Sequence, residues 1–169
     1  MKFVRLVLVM AMMQMLLACA VFSDSRKIEE EVTYKLKGSD LIKVFNITKS
    51  WFTTQDADYL NRRNFKYHGE WGGRIAFCSN GEYYCMKGGL AVAIPKNIKG
   101  QKAWQFEGMD CTTETLLSDQ HPSTITCNYE RWSLRYIYAP QKGIISYKKL
   151  SNSTELYELI GEKGLFASR

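Results

Sequence analysis

The 169-residue sequence contains no uninterrupted apolar run of about 18 residues, the length that a membrane-spanning helix needs; the twelve-residue apolar stretch from Leu6 to Leu17 contains Gln14. Histidine and proline are scarce, with two and three residues, and no C-x₂-C spacing suggests a zinc site. Neither a Gly/Pro period nor a long heptad run is present, which excludes a collagen-like or coiled-coil chain. The remaining composition, 46% hydrophobic and 24% charged, is that of one globular domain rather than a disordered chain.

The first residues also lack acidic side chains, since none occurs before Asp24. Lys2 and Arg5 precede the apolar stretch, and the small residues Ala18 and Ala20 follow it. This order predicts a secretory signal peptide. A membrane anchor is disfavoured because twelve helical residues rise only about 18 Å. We therefore expect residues 1–18 to direct export.

Two processing routes fit the end of this leader. Ala18-Cys19-Ala20 matches the A-x-A pattern, which would release a soluble protein beginning at Val21. Leu16-Leu17-Ala18-Cys19 also resembles the lipobox of bacterial lipoproteins. The resemblance implies a diacylglyceryl thioether on Cys19, and Ala20 at the second mature position implies sorting to the outer membrane. We favour a lipid-anchored protein facing the periplasm, with a soluble secreted protein as the alternative.

Loss of the leader leaves 21 basic and 17 acidic residues, a net charge of +4. This mild charge argues against a nucleic-acid partner. We expect the membrane, reached through the lipid, and an envelope protein or glycan as partners, and no cofactor. Residues 19–31 are predicted to be the anchor cysteine and a polar tether, and residues 32–169 a single β-rich domain.

Four cysteines remain after Cys19, and an even number in an oxidising compartment indicates two disulfides. We predict Cys78–Cys85 and Cys111–Cys127, because each pair encloses a short segment with turn residues. A four-residue loop, Asn80 to Tyr83, would place Cys78 opposite Cys85. No metal site is expected.

Short strand-like runs separated by turn residues indicate a mainly β fold, an antiparallel meander, small barrel or sandwich with two disulfides and one short helix. The helix is predicted at Gln55 to Arg62, where Thr54 can cap it. Glu155 to Ile160 is interpreted as a strand, although Asn152 followed by Glu155 also resembles a capping box. The other predicted strands are Val32–Leu36, Leu41–Thr48, Arg74–Cys78, Glu82–Cys85, Leu90–Ile94, Ala103–Phe106, Thr124–Asn128, Leu134–Ala139 and Ile144–Lys148.

No motif of nucleophilic, metal-dependent or phosphate-binding catalysis is present. Glu70 and Asp110 are the acids that could be nominated for glycoside hydrolysis, and nothing in the sequence separates them from surface acids. His68 and His121 lie in loop-like contexts without a base or metal pattern. A catalytic residue is therefore not assigned.

Binding has better support, because the sequence contains ten tyrosines and four tryptophans, several beside Lys or Arg. Trp51, Trp71 and Trp132 are the candidate binding residues, since each is expected in an irregular segment. We expect an exported, lipid-anchored envelope protein that acts by binding. A secreted enzyme or inhibitor acting on the envelope and a small-ligand-carrying β-barrel are the alternatives. Asn46-Ile47-Thr48 and Asn152-Ser153-Thr154 would be glycosylation sites in a eukaryote, and the lipobox interpretation would then fail.

Overall fold

A computed structural model describes residues 28–47, 51–58, 72–88, 90–97, 100–116, 118, 121–150 and 154–167, with the backbone alone for 51–58 and 72–77. The described chain forms antiparallel β-structure and contains no helix. Its strands are β1 (Glu30–Leu36), β2 (Leu41–Ile47), β3 (Trp51–Asp58), β4 (Gly72–Phe77), β5 (Tyr83–Lys87), β6 (Ala91–Pro95), β7 (Ala103–Phe106), β8 (Met109–Thr113), β9 (Ser123–Tyr129), β10 (Trp132–Ala139), β11 (Gly143–Lys149) and β12 (Leu156–Ile160).

The strands follow one another as a meander. Across the sheet their order is β6-β5-β4-β3-β2-β1-β12-β11-β10-β9-β8-β7, so β1 and β12 pair in the middle and β6 and β7 lie at the two edges. The antiparallel β-rich fold predicted from the sequence is confirmed. The strand predicted at Glu155 to Ile160 is confirmed as β12, and the predicted strand at Ala103–Phe106 coincides with β7.

The helix predicted at Gln55 to Arg62 is wrong for its first half. Gln55 to Asp58 belong to β3, where Gln55 lies opposite Val44 and Asp58 opposite Leu41 of β2; residues 59–62 lie outside the described residues. The capping pattern expresses a local preference, whereas pairing with β2 satisfies the backbone of the whole segment. The preceding Trp51-Phe52-Thr53-Thr54 consists of residues that favour strands.

Two further boundaries differ from the sequence interpretation. No strand is predicted between Phe106 and Thr124, yet Met109–Thr113 form β8, because the turn between β7 and β8 needs only Glu107 and Gly108. Both have left-handed backbone angles, φ 51° and 78°, as the tight hairpin turn requires. At the N-terminus, β1 begins at Glu30, inside the predicted tether, because its backbone pairs with Ile47.

One main core lies on the inward face of the sheet, where alternate residues of strands such as β9 and β10 are buried. Strand β6 is buried along its whole length, and it contacts β8, β9 and β10. Its unpaired edge is covered by side chains, because the Ala93 carbonyl accepts hydrogen bonds from the Trp104 indole (3.0 Å) and the Tyr136 hydroxyl (3.2 Å). Pro95 has no N–H to offer at this edge. Such covering removes a template for pairing with another chain.

The C-terminal segment, Gly161 to Ala167, closes one end of this core. The Ile144 amide donates to the Leu165 carbonyl (2.8 Å), and the Gly164 amide donates to the Lys142 carbonyl (2.7 Å). The buried Tyr34 hydroxyl accepts from the Leu165 amide (3.0 Å) and donates to the Ile144 carbonyl (2.7 Å). We call this the closed end; it lies beside the β10–β11 turn.

Candidate functional site

The structure separates the three candidate tryptophans. Trp71 lies outside the described residues, as does Cys19, the predicted lipidation site. Trp51 begins β3, of which only the backbone is described. Trp132 begins β10 and is half-buried. The expectation that these residues lie in irregular segments is therefore wrong for Trp51 and Trp132, because Trp51 pairs with Ala76 of β4 and Trp132 pairs with Tyr129 of β9.

Two disulfides stabilise the strand pairs, Cys78–Cys85 beside the β4–β5 loop and Cys111–Cys127 between β8 and β9. They are the pairs that the sequence favours. Cys78 lies opposite Cys85, whose carbonyl accepts from the Cys78 amide. The loop between them is ordered by Asn80, whose side-chain oxygen accepts from the Glu82 and Tyr83 amides (2.8 Å each).

Trp132 lies at the end of the sheet opposite to the closed end. It pairs with Tyr129 across the two-residue β9–β10 turn, Glu130 and Arg131, where Glu130 has φ 50°. Alternation along β10 places Trp132 on the same face as the buried Leu134 and Tyr136, so its ring lies at the rim of the core.

Two cations lie over the Trp132 ring. The Arg131 guanidinium carbon is 5.1 Å from the ring centroid, and Lys149 Nζ is 5.8 Å from it. Cations at such distances are attracted by the ring quadrupole, with about 0.5–1 kcal/mol at an exposed site. Each ring contact also restricts a long side chain that would otherwise be free in water.

A second cation–ring pair lies next to Trp132 and joins β2 to β12; its ring, Tyr157, is buried, and its cation, Lys43, is half-buried. Lys43 Nζ lies 5.2 Å from the centroid of Tyr157, whose ring stacks on Tyr147 at 5.0 Å and 10°. Tyr147 and Lys149 share a face of β11, because they are two residues apart. We define the rim cluster as Lys43, Tyr129, Arg131, Trp132, Lys149 and Tyr157.

An ion pair between a lysine and a glutamate lies next to the rim cluster. Lys87 forms an ion pair with Glu107 at 2.7 Å, and this hydrogen bond raises the pKa of the lysine. Gly108 follows Glu107 and lies beside the ring of Tyr129, where an added Cβ would make an ordinary van der Waals contact at 3.5 Å. The β7–β8 turn therefore borders the cluster and supplies one acidic residue there.

The sequence interpretation identified Trp132 but not Lys43, Lys149 and Tyr157. These residues come from three other strands, and no local pattern distinguishes them from the other lysines and tyrosines of the chain. Their common feature, a position at the same strand ends on the inward face, exists only once the registers of β2, β11 and β12 are known.

The acidic residues and histidines of the described chain bear on catalysis and metal binding. Within the described ranges, no group of three His, Cys, Asp or Glu residues is placed to hold a metal ion. Asp110 is exposed and accepts a hydrogen bond from Gln105 Nε2 at 2.6 Å. His121 is exposed, whereas Glu70 and His68 lie outside the described residues.

Two clefts lined by described residues open to solvent. The larger, about 570 Å³, lies between the β4–β5 loop and the segment after β6, with Tyr83, Pro95, Lys96 and Gln101 in its wall. Lys96 lies 4.9 Å from the ring centroid of Tyr84 and donates to the Asn80 carbonyl (2.6 Å), so internal contacts hold its ammonium. The smaller cleft follows the β7–β8 turn. Neither is the enclosed apolar pocket that a small-ligand carrier needs.

None of the described segments forms a helix with the length and apolarity needed to cross a membrane. Comparison with protein-family models, with curated proteins and with solved structures finds no match to this chain.

Proposed function

We propose that the chain is an exported, lipid-anchored cell-envelope protein that acts as a binding module through the rim cluster. The observation that carries the binding role is the placement of Arg131 and Lys149 over the half-buried Trp132 ring at one end of the core. Partly exposed tryptophan and arginine side chains are the types that dominate binding energies.

The proposed address follows from the leader and agrees with the two disulfides, which persist in oxidising compartments. Under this proposal Cys19 carries the lipid and residues 1–18 are removed. A chain of eleven residues leads from Cys19 to Glu30 and spans at most about 40 Å. The acyl chains would attach the protein, at about 0.8 kcal/mol per buried CH₂.

The direction of the strands determines where the tether and the rim cluster lie relative to each other. β1 begins at Glu30, beside the closed end, and finishes at Leu36, opposite Tyr157. Lys149 lies opposite Leu134, two residues from Trp132, at the same end as Leu36. The tether therefore enters at the closed end, and the rim cluster lies at the far end. We further propose that the sheet curls into a barrel-like form, with β6 lying across β8 to β10.

Co-sedimentation with isolated envelope fragments tests the binding role apart from the anchor. The full chain with Cys19→Ser lacks the lipid and keeps an A-x-A cleavage pattern, so it is expected to be exported as a soluble protein. We expect it to sediment with the fragments, and the added pair Arg131→Gln and Lys149→Gln to abolish sedimentation.

Arg135→Gln is the matched control, because Arg135 is exposed on β10, faces outward and lies 4.0 Å from Glu114. It should sediment like its parent. Equal sedimentation of the double variant and its parent would contradict binding through the rim cluster.

A further inference from the structure

We propose that the ligand of the rim cluster is an anionic glycan, a saccharide chain that carries repeated carboxylate, sulfate or phosphate groups. This inference rests on the proposed binding function and adds the chemical class of the ligand.

The cations of the rim cluster lie over the faces of its aromatic rings. Arg131 and Lys149 lie over Trp132, and Lys43 lies over Tyr157, so the protein's own cations are placed on these ring faces. A neutral sugar that stacks face to face would have to displace them. An anion is attracted by the same cations where they stand, and the ring contacts lower the entropy cost of holding them.

Arg131 is placed to bind an anion from solution. This residue is exposed, and it makes no ion pair with any residue of the described ranges. Four other cations are paired with carboxylates, namely Lys35, Lys37, Lys87 and Arg135. A guanidinium offers five N–H donors in one plane, which match carboxylate, sulfate and phosphate oxygens in pairs.

The cations of the rim cluster lie in more than one place. Arg131 and Lys149 meet at the Trp132 ring of β10, whereas Lys43 lies over Tyr157 of β12, two strands away, so the cations occupy two places along the rim. A ligand with several anions along a chain engages both places better than a single small anion does. The rings of Tyr129 and Trp132 between them offer apolar edges to the carbon faces of sugars.

The position of the rim cluster relative to the tether favours a glycan over a lipid surface as its ligand. The chain enters the domain at the closed end, and the rim cluster lies at the other end of the strands. The lipid anchor would be joined to the closed end by a tether of up to about 40 Å, so the rim cluster would be able to reach material away from that membrane. Anionic lipid is therefore treated as an outcome of the test.

Dextran and dextran sulfate, which share a backbone and differ in charge, provide the probes. The soluble, detergent-free Cys19→Ser protein, which has no acyl chains to insert into lipid, is immobilised and titrated with each polymer and with phosphatidylglycerol vesicles. We expect saturable binding of dextran sulfate that weakens as salt is raised, and no binding of dextran. Arg131→Gln with Lys149→Gln should weaken binding about tenfold or more, and Arg135→Gln less than about twofold.

Three results would overturn the proposal: equal binding of dextran and dextran sulfate, equal losses in the rim and Arg135 variants, or tighter binding of the vesicles than of the polyanion. Failure here is distinguishable from failure of the proposed function. If envelope fragments still retain the parent protein and release the rim variant, the rim cluster binds a partner of another class. If neither assay depends on the rim residues, the binding role itself is wrong.

Discussion

Tyr34 shows how a single residue connects the strands to the C-terminal segment. Its ring packs edge-on against Phe45 (5.5 Å) and Tyr147 (5.1 Å). Its hydroxyl accepts a hydrogen bond from the Leu165 amide and donates one to the Ile144 carbonyl. The residue is completely buried, and burial raises the pKa of the hydroxyl, although the hydrogen bond from Leu165 opposes the shift. The hydroxyl is thus a neutral group that satisfies two backbone hydrogen-bonding groups at the closed end.

Tyr34→Phe is expected to lower the free energy of unfolding by about 1–3 kcal/mol, because a buried amide and a buried carbonyl lose their partner while the ring remains. Urea denaturation at neutral pH measures this loss. Tyr83→Phe is the control, since the half-buried Tyr83 keeps its stacking on Phe106 at 4.3 Å. It should change stability by less than about 0.5 kcal/mol. A loss for Tyr34→Phe no larger than the control's would contradict the role of the hydroxyl.

Alkaline pH should destabilise the protein through its buried tyrosines. Burial raises the pKa of Tyr138 to about 12 and that of Tyr136 above its ordinary value. The unfolded chain ionises near pH 10, so it binds fewer protons than the folded chain above that pH. The stability contributed by the neutral hydroxyls is therefore complete below about pH 10 and is lost as the pH rises toward 12.

Urea midpoints measured from pH 8 to pH 12 test this expectation. Tyr138→Phe should be less stable than the wild type at pH 8, because the hydroxyl donates to the Phe166 carbonyl (3.3 Å). Its midpoint should also fall less steeply above pH 10, since one titrating group is gone. Parallel curves for the two proteins over the whole range would show that Tyr138 does not contribute to the alkaline loss.

At the scale of elements, the contact between the C-terminal segment and β11 is too close for any side chain at Gly164. A Cβ there would collide with the Ile144 carbonyl and lie 2.9 Å from the Tyr34 hydroxyl. Gly143 is in a similar position, with φ 75° and the backbone of Leu165 and Ala167 against it. Two glycines on different elements therefore allow the segment to lie directly on the β10–β11 hairpin.

Gly164→Ala is expected to destabilise the protein by about 1–3 kcal/mol, as overpacking of a close contact does. Gly81→Ala is the matched control, because a Cβ at Gly81 meets nothing within 4 Å. Thermal unfolding of both variants should show a lower midpoint for Gly164→Ala alone. Equal midpoints would mean that the C-terminal segment shifts at little cost.

Much of the β-structure could be predicted from the sequence, because alternation and turn residues are local signals. Arg135 to Tyr138 and Ile144 to Tyr147 form the hairpin that their Pro-x-x-Gly turn indicates. β3 was missed because its charge pattern also suits a capped helix, and only pairing with β2 decides between the two. The rim cluster could be predicted in part, at Trp132, because strand register determines which distant cations reach its ring.

At the scale of the molecule, the two ends of the strands differ in chemistry. The closed end is held by backbone hydrogen bonds to Leu165 and Gly164, beside the start of β1. The other end carries the rim cluster, with cations placed over aromatic rings. A protein tethered at one end and basic at the other is suited to hold an anionic partner at a distance from its membrane. This division of roles depends on the proposed anchor at Cys19.

The most direct measurement is the intact mass of the exported protein, purified from the envelope after expression of the full chain. The account predicts a product that begins at Cys19, with a mass that exceeds the polypeptide's by a lipid adduct; Cys19→Ser should abolish the adduct. A soluble, unmodified product that begins at Val21 would contradict the lipid anchor and would leave a secreted protein in its place.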